Sequence, residues 1–402
     1  MRVLVVSDLY PPIGFGGYES ETAALVEGLR ARRHEVLVLT SDRGDAPPAP
    51  DVRRELPYVG PARREAFAAP ARAANAVEVM QRALRDFRPE SVYVANSVAI
   101  PQAAPLTAAA TGVPIAYRLS ELFMASSLYT GDRYLRALLP GQRGVRGAWA
   151  AATRLYNRRL GLQPSTPHRA AVSWASNALR EHVTLPPFVE PVLERTIHPA
   201  TTQETAFSAI ERRPGQTPSF LYLGRMTTAK GIEVAYRALA SLRGEHGIDA
   251  RLVLVGTAKP DLMAALETLA AKLGVADAID DRGRLATDEL ADVLAQVGAL
   301  VLPTVEWDVF PLVLIEAGLA RVPIVAARIG GVPEAVVDGE HALLFDPGDA
   351  EACATALATV FREPEQAAER AQRAYGRMQG LSVARYQEES ERFIVEAAEA
   401  LS

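Results

Sequence analysis

Cysteine occurs once in 402 residues, at Cys353, so the chain can form neither an intramolecular disulfide nor a cysteine metal cluster. The expectation is a reducing, cytoplasmic setting. Lysine is almost as scarce, standing only at 230, 259 and 272. Abundant arginine and alanine point to a high-GC bacterial genome, and each lysine becomes worth inspection. No run approaches the ~18 apolar residues of a membrane span. The opening MRVLVVSDLY enters a strand pattern with no charged-then-apolar leader before it. Basic charge is not in excess: the net charge is -5, whereas nucleic-acid binding leaves a positive footprint. Nucleic acid is therefore excluded as a partner.

What is present is a globular balance, 49% apolar and 23% charged, which sustains packed cores rather than disorder. The length suits two domains. Short apolar runs at 2–6, 35–39, 91–95, 114–117, 220–224, 251–255, 299–303 and 323–327 alternate with longer helical patterns. Such alternation predicts α/β domains with parallel sheets covered on both faces. The polar, Pro-containing stretch 198–218 reads as the connection between them. The last helix, 382–402, places Val383, Tyr386, Phe393, Ile394, Ala397 and Leu401 on one face and must pack on something. An arginine-rich stretch, 133–159, reads either as a solvated helix face or as a peripheral membrane contact, and the solvated face is favoured.

Open parallel sheets bind ligands beyond the carboxyl ends of their strands, so the loops there carry the functional reading. After FLYLG come Arg225 and, five residues on, Lys230, in a loop that leads into a helix. Two cations beside a helix N-terminus make a phosphate site; surface ion pairing is the alternative. Gly256 ends the next strand, and DDRGRL (280–285), with Arg284 and Leu285, forms another loop before a helix. In EWDVFPLVLIEA (306–317), Pro311 suits a helix start, so Asp308 precedes the helix and Glu316 stands on its second turn. The helix is apolar on nearly every side, and an ionised Glu316 there needs a partner. At ~1.5 Å per residue Glu316 lies roughly 7 Å along, a spacing that fits a ribose beyond a diphosphate at the helix start. A structural salt bridge within the domain is the alternative. The first loop, DLYPPIGFGGYE (8–19), has glycines able to admit a phosphate or sugar, but it is not a dinucleotide fingerprint.

These stretches together resemble the retaining GT-B glycosyltransferases of family 4, the group 1 glycosyltransferases. The likeness rests on GGYE (16–19), Gly224-Arg225 with Lys230-Gly231, Asp308 with Glu316 at the spacing of the family's two acids, and GGVPEAV (330–336). It implies two Rossmann-like domains facing each other across a cleft. Residues 1–205 would bind the acceptor, 206–381 the nucleotide sugar, and the C-terminal helix would cross back to the N-terminal domain. It implies that Arg225 and Lys230 hold the donor diphosphate, Glu316 the ribose and Asp308 the donor sugar. Further donor contacts fall on Gly16, Gly17, Ser120, Gly224, Gly256, Arg284, Leu285, Val309, Phe310 and Leu312.

The implied activity moves a sugar, with retention, from a nucleoside diphosphate donor, UDP before GDP, to a small soluble acceptor in bacterial specialised metabolism. No metal or other cofactor is expected, the nucleotide sugar being a co-substrate. Two positions depart from the family. Asp308 stands where glutamate is usual, and Ser120-Glu121 where a His-Asp pair is common, which leaves the donor sugar open. Rival readings are a nucleotide-sugar epimerase, transfer to a lipid-linked envelope acceptor, a non-catalytic nucleotide-sugar sensor and a dinucleotide-dependent oxidoreductase. Nothing in the sequence reports the oligomeric state.

Overall fold

The computed structural model describes residues 1–14, 16–59, 69–120, 151, 155, 158–159, 167–185 and 188–402. Glu121 and the arginine-rich stretch 133–159, apart from positions 151, 155, 158 and 159, lie outside the described residues. The chain divides into two compact units, Met1–His198 with Ala384–Ser402, and Pro199–Val383.

The first unit is built on β1 (Arg2–Val6), β2 (Glu35–Ser41), β3 (Val52–Leu56), β4 (Ser91–Val94), β5 (Ile115–Leu119), β6 (His168–Trp174) and β7 (Val189–Thr196). The described helices include α1 (Gly17–Ala31), α2 (Ala69–Phe87), α3 (Ala103–Ala110) and α4 (Asn177–His182). The strands form one parallel sheet in the order β3-β2-β1-β4-β5-β6-β7. β1 and β4 are buried along almost their whole length, as a strand covered on both faces must be. The edge strands β3 and β7 carry charge, and β7 also carries Pro191, a residue a central strand would not tolerate.

The second unit holds β8 (Ser219–Leu223), β9 (Arg251–Val255), β10 (Ile279–Asp281), β11 (Ala299–Leu302), β12 (Ile324–Ala327) and β13 (Leu343–Phe345). Its helices are α5 (Glu204–Ser208), α6 (Ile232–Gly244), α7 (Pro260–Leu273), α8 (Thr287–Gln296), α9 (Leu312–Leu319), α10 (Val332–Ala335), α11 (Ala350–Arg362) and α12 (Pro364–Gln379). The sheet order is β10-β9-β8-β11-β12-β13, again parallel throughout. Phe220, Leu252, Leu254 and Val301 from the sheet pack with Ala235, Leu239 and Leu242 of α6 and Leu357 of α11. Residues 199–218 are not a free connection. α5 packs on α8 and α9, and Arg212 donates to the carbonyl of Val297 at 2.5 Å, so the unit boundary falls at His198 rather than at 205.

The last helix, α13 (Val383–Leu401), belongs to the first unit from Ala384 onward. Gln387 Nε2 donates to the carbonyl of Ala24 at 2.8 Å, and a Cβ on Gly28 would stand 2.6 Å from Gln387 Cγ. Gly28 therefore lets α1 and α13 approach closely. Beneath them lies a buried ion pair: Arg118 Nε and Nη2 donate to Glu21 Oε1 at 3.0 and 2.5 Å, and Nη1 donates to the carbonyl of Ile197 at 2.7 Å. The Arg118 guanidinium lies 5.7 Å from the Tyr386 ring centroid. This network ties α1, β5 and α13 together. No described helix is long and apolar enough to cross a membrane.

Candidate active site at the strand ends of the second unit

β8 lies between β9 and β11, where the connections diverge to either side, and the loops after these strands meet. Gly224 and Gly256 end β8 and β9 with φ of +135° and +146°. A Cβ on Gly256 would stand 1.8 Å from the Gly224 carbonyl oxygen, so the two turns pass each other only as glycine. Gly256 N donates to the carbonyl of Gly283 at 2.8 Å, which joins the β10 loop to the same rim.

The loop from Arg225 to Gly231 is held from below and from the side. Tyr222 Oη donates to the Arg225 carbonyl at 3.0 Å and lies 3.4 Å from that of Lys230. The Ala229 carbonyl accepts from Val305 N, Glu306 N and Thr304 Oγ1 at 3.0, 3.1 and 3.2 Å. Thr304 is fully buried, so this clamp is shielded from competing water. Gly231, φ +68°, caps α6, and a Cβ there would fall 1.8 Å from the Pro303 carbonyl oxygen. The clamp brings Lys230 onto Asp308: its Nζ donates to Asp308 Oδ2 in a direct ion pair. Arg225 is exposed.

Gly330 and Gly331 explain the GGVPE segment. Gly331 N donates to the Asp308 carbonyl at 2.8 Å. Cβ atoms on the two glycines would fall 2.0 and 1.9 Å from the carbonyl oxygens of Asp308 and Val309. Their role is to let the Asp308 loop lie flat on the β12 loop. Val309 and Phe310 are buried, so what they present outward is backbone. α9 then starts at Leu312, with Pro311 as its N-cap rather than its first residue. The N–H groups at such a helix start favour an anion, and of those in the first turn Leu314 N already donates to the Pro311 carbonyl at 3.1 Å.

Glu316 stands on the second turn of α9, and no salt bridge engages it among the described residues. Its Oε1 accepts from Thr201 Oγ1 at 3.4 Å. The residue as a whole is half-buried. Burial pushes its pKa up to about 7, and the Thr201 hydroxyl opposes that shift.

The structure thus gathers Gly224, Arg225, Lys230, Gly256, Asp308, Val309, Phe310, Leu312 and Glu316 on the loops after β8, β9 and β11 and on α9. Arg284 is exposed in the β10 loop. Leu285 lines a cavity of about 580 Å3 with Ser219, Arg251 and Gln296, which includes none of Arg225, Lys230, Asp308 and Glu316. Gly16, Gly17 and Ser120 belong to the first unit, at the carboxyl ends of β1 and β5. On the loop after β1 sits Asp8, whose Oδ1 and Oδ2 accept from Leu9 N and Ala99 N at 2.8 and 3.3 Å. Burial raises its pKa to about 6, and the nearby Glu19 adds to the rise. Sequence reasoning missed Asp8, Thr201, Tyr222 and Thr304. Only Asp8, a carboxylate directly after an apolar strand, carried a visible signal.

Residues 203–377 match the glycosyl transferases group 1 family, and residues 16–199 match the glycosyl transferase 4-like domain. The chain belongs to the group 1 glycosyltransferases. Among relatives of this family member, the D-inositol 3-phosphate glycosyltransferase of Streptomyces scabiei is 35% identical over 154 residues, 36% of this chain and 34% of that protein. The glycogen synthase of Mycobacterium tuberculosis is 35% identical over 169 residues, 42% of this chain and 40% of that protein. The chain therefore spans well under half the length of these relatives. Two solved structures share its GT-B fold. The sucrose-phosphate synthase of Thermosynechococcus elongatus matches with TM-score 0.71 and 20% identity over 98% of this chain and 99% of that one. Anabaena HepE in complex with UDP-glucose matches with TM-score 0.65 and 16% identity over 98% of this chain and 100% of that one.

Among the described residues no group of three His, Cys, Asp or Glu could hold a metal ion.

Proposed function

We propose that this protein is a retaining glycosyltransferase that moves a sugar from a nucleoside diphosphate donor to a small soluble acceptor. The observation that carries the reading is the convergence of Arg225, Lys230 and the α9 N-terminus at the carboxyl ends of β8 and β11, with Glu316 further along α9. In this reading Arg225, Lys230 and the N–H groups of Leu312 and Val313 at the start of α9 hold the diphosphate. Glu316 accepts from the ribose hydroxyls, and Asp308 meets the donor sugar. Charge grows on the departing diphosphate as the sugar becomes cationic at its anomeric carbon, and fixed cations there stabilise that state selectively. The acceptor hydroxyl oxygen forms the new bond to that carbon, the diphosphate leaves with the electron pair of the broken bond, and the hydroxyl proton passes to the departing diphosphate. No metal or other cofactor enters this scheme.

UDP is the first donor nucleotide to try and GDP the second; the UDP-glucose bound by the HepE neighbour supports that order. The D-inositol 3-phosphate glycosyltransferase among the relatives supports a small soluble acceptor. The lone buried Cys353 fits a cytoplasmic address.

Thermal unfolding of wild type and Glu316→Ala with UDP, GDP, ADP and NAD tests the reading, since a ligand at a hundred times its Kd adds ~2.7 kcal/mol. A shift with one nucleoside diphosphate, lost in the variant, is expected. A shift with NAD alone overturns the site.

A further inference from the structure

Thr201 stands near the start of the second unit, just before α5, and is buried. Among the described residues its hydroxyl has two hydrogen-bond neighbours. Gln203 N donates to Thr201 Oγ1 at 3.3 Å, and Glu316 Oε1 lies at 3.4 Å. A backbone N–H can only donate, so it occupies a lone pair of the hydroxyl and leaves the hydroxyl's single proton for Glu316. An ionised carboxylate can only accept, so the pairing has one consistent direction when Glu316 is charged. Glu316 Oε2 has no hydrogen-bond partner among the described residues.

We propose that Thr201 is a positioning residue of the nucleotide site: its hydroxyl holds Glu316 as an ionised carboxylate and fixes Oε1, leaving Oε2 to accept from the vicinal hydroxyls of a ribose. The proposal rests on the ribose reading of Glu316. Among the described residues no charged side chain supplies this service instead. α9 itself carries no other ionisable side chain, and neither does β12. The charged groups on the other helices packed against α9 are Glu204 on α5 and Glu365, Glu369, Arg370, Arg373 and Arg377 on α12. Glu204 accepts from Val383 N, Arg373 donates to the Glu340 carbonyl, and Arg377 donates to the carbonyls of Ala335 and Glu334. Burial and the Thr201 hydroxyl, acting in opposite directions, are what govern the titration of Glu316.

The test has two arms. The Glu316 carboxyl is titrated by carbon-detected NMR in the free protein as wild type, Thr201→Val and Thr201→Ser. Loss of a hydrogen bond to a charged group is expected to raise the midpoint by about one pH unit in Thr201→Val, with Thr201→Ser close to wild type. The affinity for UDP and GDP is measured by calorimetry from pH 6.5 to 9. Thr201→Val is expected to bind the preferred nucleotide about fivefold more weakly at pH 7 and to recover by pH 9, because the ionised fraction falls and then returns. Adding Thr201→Val to Glu316→Gln is expected to change nothing further. An unmoved midpoint in Thr201→Val overturns the proposal, as does an equal loss of affinity at every pH or in the Glu316→Gln background. If Glu316→Gln binds both diphosphates like wild type, the ribose reading falls and takes the ligand role of Thr201 with it. The titration arm distinguishes that failure, because it reads the Thr201–Glu316 contact without any nucleotide.

Discussion

Lys230 and Asp308, 78 positions apart in sequence, form a direct ion pair at the mouth of the proposed diphosphate site. The pair joins the loop after β8 to the loop after β11, and each side chain belongs to a role that donor binding would claim. The diphosphate must therefore share Lys230 with Asp308 or displace it.

Asp308→Asn should separate the two roles. Releasing Lys230 from its counter-ion is expected to tighten binding of the free nucleoside diphosphate by several-fold, the scale of a partly exposed pair worth ~1 kcal/mol. Sugar transfer is expected to fall by about a hundredfold, since the donor sugar loses its acidic contact. Calorimetry with the nucleotide and turnover with the sugar donor read the two effects independently.

Arg225 is exposed, and no ion pair engages it among the described residues. Arg225→Ala is therefore expected to leave the melting temperature almost unchanged while lowering turnover by about a hundred- to thousandfold, or ~2.7 to 4 kcal/mol in the barrier. Near-normal turnover in this variant would remove Arg225 from the mechanism.

The raised pKa of Glu316 fixes the sign of a pH effect on stability. Between about 4.5 and about 7 the folded chain holds a proton there that the unfolded chain has lost. The stability from this group is present in full below about 4.5 and is lost as pH rises through about 7. Glu316→Gln cannot ionise, so its melting temperature is expected to match wild type near pH 4.5 and to exceed it at pH 8. Parallel melting curves across that range would refute the buried-acid description.

Gly231→Ala and Gly331→Ala test the backbone contacts rather than the charges. Each places a Cβ within 2 Å of a carbonyl oxygen, of Pro303 or of Val309, and Gly231 also holds φ at +68°. Both variants are expected to lose nucleotide affinity through displacement of the Lys230 or Asp308 loop, with a stability loss beyond the usual ~0.5 to 3 kcal/mol of point changes. Nucleotide-dependent unfolding shifts measure both.

In the first unit, Arg118→Met strands Glu21 as a buried, uncompensated charge. A loss of ~3 to 5 kcal/mol is expected, and replacing Glu21 by an apolar residue of similar size in the same chain is expected to recover most of it. Chemical denaturation of the single and double variants checks the pair.

The sequence by itself determined the two parallel sheets, because strands buried on both faces must read as apolar runs such as RVLVV and ALVLP, and these need no knowledge of their neighbours. It also determined the loops where charge collects, because Arg225, Lys230, Asp308 and Glu316 interrupt apolar surroundings that cannot hold them idle. The edge strands β3, β7, β10 and β13 were not legible, because a strand paired on one side only can be short, charged or proline-bearing; nor was β6, an internal strand that opens on the polar pair His168-Arg169. Tertiary structure alone decided that Lys230 meets Asp308, that Gly330 and Gly331 exist to let the Asp308 loop lie against them, and that Glu316 answers to Thr201 rather than to a cation. Those relationships are set by the closure of separate βα loops over one sheet edge, and residues about 80 to 115 positions apart carry no local pattern that could announce such a meeting.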